Sequence, residues 1–306
     1  MSLFRGPVLA VADRPFVKNF VSTNRLTHGL VDRFVAGEDL ETALDLVQPL
    51  TEHGITFTLD ELGENVSTEA EAAAAVASYT HILTRASERG VEPNISIKLT
   101  MLGLDLGEDL TRANVEPILE TAKSVGGFVR IDMEGSAYTA QTMEIFGEFH
   151  DRYPEQVGIV LQTCMRRTEA DVEAMIERKA RVRLVKGAYA EPAEVAYQEK
   201  ASVDVQYVKL MKRLLKDGTY PAIATHDPSL IAQARAFTEK NDIANDSWEF
   251  QMLYGVRREE QLALREAGYG MRVYVPYGPS WYPYFSRRIA ERPANAFFVL
   301  RQFISK

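Results

Sequence analysis

Eight short runs rich in valine, isoleucine, phenylalanine and tyrosine recur along the chain from residue 54 onward, and segments with helical spacing separate them. The runs occupy residues 54–63, 94–100, 128–134, 157–163, 181–187, 220–226, 248–253 and 271–278. Several are almost continuously apolar, which is typical of strands buried on both faces of a parallel sheet. Strands that alternate with helices predict parallel β-α-β units.

The intervening segments carry apolar residues at the spacing of a helix. The predicted buried faces are Ala72, Val76, Tyr79, Leu83 and Ala86; Val115, Ile118, Leu119 and Ala122; and Ala201, Val205, Val208, Met211 and Leu215. The predicted N-caps are Ser67 or Thr68, Thr111, Thr168, and Asp227 before Pro228, and Gly90 and Gly218 fit helix ends. Eight such units predict an α/β fold, the (β/α)8 TIM-type barrel. An open doubly wound sheet is the alternative, which is weakened because no G-x-G-x-x-G motif follows the first strand.

The chain has 306 residues, which allows one large domain or two ordinary ones. Residues 1–50 look helical, with Leu40, Leu44 and Val47 on one face, and we expect them to pack outside the barrel. The sequence shows neither a low-complexity linker nor an internal repeat. We therefore predict a single catalytic domain over 1–306, with an N-terminal helical extension (1–50) and the barrel (54–306).

Composition narrows the class of protein. Hydrophobic residues make up 46% and charged residues 25%, as in a folded protein with a large core. The formal net charge of −8 disfavours a nucleic-acid partner. A single cysteine, Cys164, excludes an intrachain disulfide and suits a reducing compartment. Because no apolar run reaches about 18 residues, we expect a cytoplasmic protein, and peripheral contact with the inner face of the cytoplasmic membrane stays open.

Polar residues lie near the C-terminal ends of almost all the predicted strands, where TIM barrels place their active sites. They are Asp60, Glu61, Glu64, Lys98, Asp132, Glu134, Gln162, Arg183, Lys186, Thr225, His226, Gln251 and Tyr274. Each alone has a structural interpretation, such as a helix cap or a lysine that reaches the surface. Together they predict a ligand site, because buried charges are costly unless they are paired or matched by a ligand.

A final helix is predicted over residues 282–291. One face of it carries Tyr284, Arg287, Arg288 and Glu291, and an adjacent apolar stripe carries Tyr282, Phe285 and Ile289. Two neighbouring arginines suit a carboxylate or phosphate. A solvated face with an Arg288–Glu291 pair is the alternative.

Several of these stretches resemble a known family. FTLDELGE, ISIKLT, RIDMEGS, LQTC, RLVKGAY, ATHDP, FQMLYG and YVPYGPSWYPYFSRRIAERPAN, in this order, are similar to the bacterial monofunctional proline dehydrogenases. The resemblance implies a distorted (β/α)8 barrel whose final helix lies over the C-terminal mouth, and non-covalently bound FAD. It also implies oxidation of L-proline to Δ1-pyrroline-5-carboxylate, the first step of proline degradation to glutamate. The implied partners are a quinone electron acceptor and a pyrroline-5-carboxylate dehydrogenase.

The resemblance also implies site residues. The implied catalytic residues are Asp132 and Arg183. The implied substrate-binding residues are Lys98, Tyr189, Leu253, Tyr274, Tyr284, Arg287, Arg288 and Glu291. The implied FAD-binding residues are Met133, Gln162, Arg183, Lys186, Gly187, Ala188, Thr225 and His226. Glu64 and Arg287 are implied as a gate, and no metal is implied. Ala190 departs from the tryptophan that the bifunctional relatives often carry there.

Two other functions stay open on the residues alone. Lys186, or Lys98 beside Asp132, could form a Schiff base as in a class I aldolase. A non-catalytic barrel could bind an amino acid or another small anion.

Overall fold

A closed barrel of eight parallel strands forms the centre of the molecule. The computed structural model describes residues 31–63 and 65–291, and within residues 287–291 it describes only the backbone. The strands are β1 (Thr56–Glu61), β2 (Asn94–Ile97), β3 (Phe128–Ile131), β4 (Val157–Gln162), β5 (Arg181–Val185), β6 (Ala222–Ala224), β7 (Glu249–Leu253) and β8 (Gly270–Tyr277). Each strand pairs with the next in sequence, and β1 pairs with β8 to close the barrel. The predicted (β/α)8 fold is confirmed.

Helices connect the strands and surround the barrel. They are α1 (Leu40–Glu52), α2 (Glu69–Glu88), α3 (Glu108–Ser124), α4 (Thr139–Arg152), α5 (Thr168–Glu177), α6 (Lys200–Asp217), α7 (Pro228–Lys240), α8 (Arg258–Glu266) and α9 (Trp281–Glu291), and a short 3-10 helix covers Leu99–Leu102. Helix α1 lies outside the barrel against β1 and β8. Within the described part of the chain, none of these helices has the length and apolar character needed to cross a membrane.

The predicted N-caps are confirmed for two helices and wrong for two others. Thr68 caps α2 in a capping box with Glu71, and Asp227 caps α7 by accepting a hydrogen bond from Ser229 N at 3.0 Å. The N-cap predictions for Thr111 and Thr168 are wrong. Thr111 lies inside the first turn of α3, where its hydroxyl donates to the Gly107 carbonyl, and Thr168 is the first residue of α5, donating to the Gln162 carbonyl. Both hydroxyls satisfy carbonyl groups, whereas an N-cap must accept from an amide.

The predicted buried face of α6 is partly wrong. Val205 is 70% exposed and Ala201 is also exposed, whereas Tyr207, Leu210 and Leu214 are buried. The buried stripe is rotated toward Tyr207, whose hydroxyl donates to the Ala224 carbonyl at 3.0 Å. A helix of mixed composition offers more than one apolar stripe, and the packing against β5 selects one.

The inside of the barrel is polar, unlike the apolar interior that is usual for this fold. Side chains alternate between the two faces of a strand, so apolar residues such as Leu59 and Ile95 face the helices while their neighbours point inward. The inward set includes Thr58, Asp60, Asn94, Ser96, Arg130, Asp132, Arg183, Glu249, Gln251, Arg272 and Tyr274. The strands are buried on both faces, as predicted; the outer face is apolar, whereas the inner face is largely polar.

A buried ion pair fills the N-terminal end of this interior. Arg272 Nε donates to Glu249 at 2.9 Å, and its two terminal nitrogens donate to Glu92 at 3.0 and 3.1 Å. Burial opposes the charge of Glu249, yet Arg272 keeps the pKa of Glu249 below its usual value. Gln251 Nε2 donates to the same carboxylate at 2.5 Å.

We expect Arg272→Met to destabilise the protein by about 3–5 kcal/mol, because it leaves Glu249 charged and buried without its counterion. Arg112→Met is the matched control, since Arg112 pairs with Glu108, Glu144 and Glu148 at the surface and its loss should cost less than about 1 kcal/mol. Urea unfolding monitored by circular dichroism measures both. Equal stability of the two variants would contradict a buried structural role for Arg272.

Candidate active site

A cavity of about 680 Å³ opens at the C-terminal ends of the strands and extends under α9. It is lined by all the predicted site residues whose side chains the structure describes: Lys98, Asp132, Met133, Gln162, Arg183, Lys186, Gly187, Ala188, Tyr189, Thr225, His226, Leu253, Tyr274 and Tyr284. Residues far apart in sequence therefore meet in one place. Glu64 and the side chains of Arg287, Arg288 and Glu291 lie outside the described residues.

Four charged residues meet on the inner wall of this cavity, and we name Asp60, Lys98, Asp132 and Arg183 the charged quartet. Lys98 Nζ lies 2.7 Å from Asp60 Oδ1 and 3.8 Å from Asp132 Oδ2. Arg183 Nη1 donates to Asp132 Oδ1 at 3.0 Å, and the Tyr274 hydroxyl donates to Asp132 Oδ2 at 2.9 Å. Two carboxylates thus face two cations.

Burial and neighbouring charges set the protonation states of Lys98 and of Tyr274, which contacts the quartet. Burial lowers the pKa of Lys98, but Asp60 and Asp132 outweigh it, so the pKa ends above its usual value and the amine is an ammonium. Burial, with Asp132 and Asp60, raises the pKa of Tyr274 well above its usual value. Tyr274 is therefore a neutral phenol that donates to Asp132.

The two cations of the RVRLVKG run, Arg183 and Lys186, serve different parts of the cavity. Arg183 points into the barrel, where Nη1 also donates to Ser96 Oγ at 3.1 Å and the guanidinium lies 5.1 Å from the ring centre of Tyr274. Its Nε is buried without a hydrogen-bond partner among the described residues. Lys186 lies beyond the end of β5 and pairs with Asp204 at 2.6 Å and Asp227 at 3.3 Å.

Gly187 lines the cavity where the chain leaves β5. Its φ of +110° lies in a region that side chains disfavour. A Cβ at this position would overlap Cys164 Sγ and lie 3.0 Å from Gln162 Oε1. Gln162 is itself fixed, because its Nε2 donates to the Glu134 carbonyl at 2.8 Å. The loops after β4 and β5 are thus packed so closely that only glycine fits.

His226 has a fixed orientation and tautomer. The backbone amide of Leu253 donates to His226 Nε2 at 2.9 Å. A nitrogen that accepts a hydrogen bond carries no proton, so the proton of the neutral ring is on Nδ1. The neighbouring Thr225 hydroxyl accepts from the Asp227 amide at 3.1 Å.

Helix α9 lies at the mouth of the cavity, as predicted, with Pro283 and Tyr284 among the lining residues. Its other side is anchored in a small hydrophobic cluster that contains Trp281, Tyr282, Phe285, Val31, Phe34, Val35, Leu62 and Val256. The Trp281 indole also donates to Glu38 at 3.0 Å. The apolar stripe predicted from Tyr282 and Phe285 is confirmed, and Ile289 lies outside the described side chains.

The predicted site residues do not include all the groups that shape the cavity. Asp60, Glu134 and Gln251 line it and appear in the sequence as strand-end polar residues, but nothing in the pattern ranks them above the others. Asp204 pairs with Lys186 from the first turns of α6 and gives no sequence signal at all. The partners of a charge are set by how separate elements pack.

Comparison with known proteins gives a consistent result. The family model described as proline dehydrogenase matches residues 43–301. The chain is 42% identical over 306 residues to a proline dehydrogenase of Deinococcus radiodurans, covering 98% of this chain and 97% of that protein. It is 41% identical over 274 residues to proline dehydrogenase 1 of Bacillus subtilis, covering 90% of each.

The solved structure of proline utilization A from Bdellovibrio bacteriovorus, inactivated by N-propargylglycine, superposes with a TM-score of 0.80 at 28% identity. The match covers 87% of this chain and 33% of that one, so the chain spans about a third of that larger protein. The family match extends over most of the chain, including all eight barrel strands and the cavity they form. The chain therefore belongs to the proline dehydrogenase family.

Proposed function

We propose that this protein is an FAD-dependent dehydrogenase that oxidises L-proline to Δ1-pyrroline-5-carboxylate and passes the electrons to a quinone. The observation that carries the proposal is the cavity itself. In this member of the proline dehydrogenase family, the charged quartet and the loop after β5, in which only glycine fits at position 187, both line the cavity. Proline oxidation is the activity named in the relatives that match along nearly the whole chain. We place it as the first step of proline degradation to glutamate.

The residues of the cavity fit a flavin. The family is generally flavin-dependent. The buried Nε of Arg183 offers a donor to a ligand, and Gly187 lets a ligand approach the backbone closely. We assign the binding of FAD, without a covalent bond, to Met133, Gln162, Arg183, Lys186, Gly187, Ala188, Thr225 and His226. Lys186 contributes a positive charge at the rim, held in place by Asp204 and Asp227.

The substrate would lie between the loop after β5, which contains Gly187, and helix α9. Leu253, Tyr189, Tyr274 and Tyr284 line the cavity and are assigned to enclose the pyrrolidine ring. On the basis of the family resemblance, Arg287 and Arg288 are assigned to the substrate carboxylate, and Lys98 with Asp132 to a charged pair beside the substrate. Glu291 would brace the arginines, and Glu64 with Arg287 would form a gate.

The chain supplies positioning and electrostatics for the reaction. A bound flavin would supply the hydride-accepting chemistry for the ring carbon beside the proline nitrogen. Asp132 and Arg183 are the proposed catalytic residues. Arg183 and Tyr274 orient Asp132, and the apolar and tyrosine walls hold the ring and exclude water. The positive charge of Arg183 stabilises negative charge that develops beside it.

The ion pairs argue against the Schiff-base alternative. A lysine nucleophile needs an uncharged amine, which usually requires a lowered pKa. The acidic partners of Lys98 raise its pKa instead, and Lys186 lies between two carboxylates. Lys98 is therefore not suited to act as a Schiff-base nucleophile.

Partners and location belong to the same proposal. A pyrroline-5-carboxylate dehydrogenase would consume the product, and a quinone implies contact with the inner face of the cytoplasmic membrane by an otherwise cytoplasmic protein. The net charge of −8 gives no basis for a nucleic-acid partner.

The test is an absorbance spectrum of the purified protein, recorded without oxygen before and after L-proline is added. We expect a flavin spectrum that bleaches with L-proline and a yellow cofactor that acid denaturation releases into solution. A colourless protein, or a flavin that L-proline leaves oxidised, would sink the proposal. Colour that stays with the precipitated protein would show that the cofactor is covalently bound.

A further inference from the structure

Asp60 is the most deeply buried member of the charged quartet. It is the fifth residue of β1, is 1% exposed, and still lines the cavity. Burial raises its pKa, and Lys98 opposes that shift. A buried carboxylate is costly unless a cation lies close to it, so the contact with Lys98 is needed to keep Asp60 charged in this position.

The position of Lys98 is set by Asp60 rather than by Asp132. The Lys98 Nζ–Asp60 distance of 2.7 Å is that of a charge-assisted hydrogen bond, whereas the 3.8 Å to Asp132 is too long for one. Asp132 uses its two oxygens for Arg183 and Tyr274 instead. The remaining ammonium protons of Lys98 are thereby left for a ligand in the cavity.

We propose that Asp60 is a positioning residue, which holds the Lys98 ammonium toward the substrate carboxylate and away from Asp132. This inference rests on the proposed function for the identity of the substrate. The residue acts through Lys98 and touches neither the reacting atoms nor the hydride.

Removal of Asp60 has a definite expected consequence. Asp132 would be the nearest remaining anion to Lys98 within the quartet, so the ammonium would shift toward it. Lys98 would then point less well at the substrate carboxylate and would compete with Arg183 and Tyr274 for Asp132. Asp60→Asn keeps the shape of the side chain, removes its charge and replaces one acceptor oxygen with an NH2 donor, so the ion pair with Lys98 is lost with little change in packing.

We expect Asp60→Asn to raise KM for L-proline and the Kd of the carboxylate analogue tetrahydro-2-furoic acid by about 10- to 100-fold. A carboxylate contact made equally in the ground and transition states changes KM more than kcat, so flavin reduction at saturating L-proline should change less than about threefold. Anaerobic stopped-flow kinetics gives both values. Wild-type affinity for both ligands would overturn the proposal.

A double-mutant cycle separates positioning from a general structural role. If Asp60 acts through Lys98, then Asp60→Asn/Lys98→Met should bind tetrahydro-2-furoic acid as weakly as Lys98→Met alone. The double variant leaves neither charge unpaired, so it should fold even if Asp60→Asn does not. Losses that multiply in the double variant would overturn the proposal.

Glu61→Gln is the matched control. Glu61 is the next residue of β1, alternates to the other face of the strand, and is not among the cavity-lining residues. It should change neither KM nor the affinity for the analogue by more than about twofold. A loss equal to that of Asp60→Asn would show that any charge on β1 matters, which overturns the specific role of Asp60.

A labelling experiment stays informative if the proposed substrate is wrong. Acetic anhydride modifies the neutral form of an amine, so a lysine held as an ammonium by a buried carboxylate reacts slowly. We expect Lys98 of the Asp60→Asn holoenzyme to be acetylated several-fold faster than in wild type, whereas Glu61→Gln should not change the rate. Unchanged labelling would contradict the control of Lys98 by Asp60, whatever the protein oxidises.

Discussion

Arg183→Met is expected to slow the reduction of bound flavin by L-proline about 100- to 1,000-fold, the usual loss when one electrostatic donor is removed from an active site. Arg183 is 4% exposed, and its Nη1 holds both Asp132 and Ser96. Its Nε is buried and has no hydrogen-bond partner among the described residues. The variant removes a positive charge from the proposed site of hydride transfer and releases one oxygen of Asp132.

Arg181→Met is the matched control for this prediction. Arg181 lies two residues earlier on β5, where its guanidinium stacks on Phe128 and Tyr220 at the opposite end of the barrel. It should reduce flavin at a rate close to wild type. Stopped-flow absorbance without oxygen measures the rate, and flavin content and melting temperature confirm that each variant is folded. Wild-type rates for Arg183→Met would remove Arg183 from the catalytic residues.

Gly187→Ala is expected to lose most of its bound flavin. The substitution places a side chain at a φ of +110° and against Cys164 Sγ and Gln162 Oε1. Backbone strain and overlap together should cost about 2–4 kcal/mol, which corresponds to about 30- to 1,000-fold in cofactor affinity if the loop shifts to relieve them. Titration of the apoprotein with FAD, followed by quenching of flavin fluorescence, measures the affinity.

Two variants separate the causes of this effect. Gly126→Ala also has a positive φ, +65°, but its Cβ would meet no described heavy atom within 4 Å, so it should lose about 1 kcal/mol of stability and bind flavin normally. Gly187→Ala/Cys164→Ala removes the sulfur that the new methyl group would meet and should recover part of the affinity. If Gly187→Ala binds FAD as tightly as wild type, the loop does not hold the cofactor.

The repeating pattern of the sequence was sufficient to predict the fold. Each of the eight apolar runs forms a strand, and the strands pair in sequence order. The motifs at the strand ends also predicted the cavity-lining positions, because the C-terminal ends of parallel strands meet at one face. The start of α7 was also predictable from the sequence, because Asp227 is a preferred N-cap residue and Pro228 is favoured at the first helical position.

Only the tertiary structure decided which charges meet. Arg183 and Asp132 are 51 residues apart, and Tyr274 and Asp132 are 142 apart. Periodicity records whether a side chain is buried, not what it touches, so it assigned neither Asp60 to Lys98 nor Asp204 to Lys186. For the same reason, the helical spacing predicted Val205 on the buried face of α6, whereas it is exposed. Side chains on opposite walls of the barrel come into contact only when β1 pairs with β8. This closure therefore determines the partner of each inward charge.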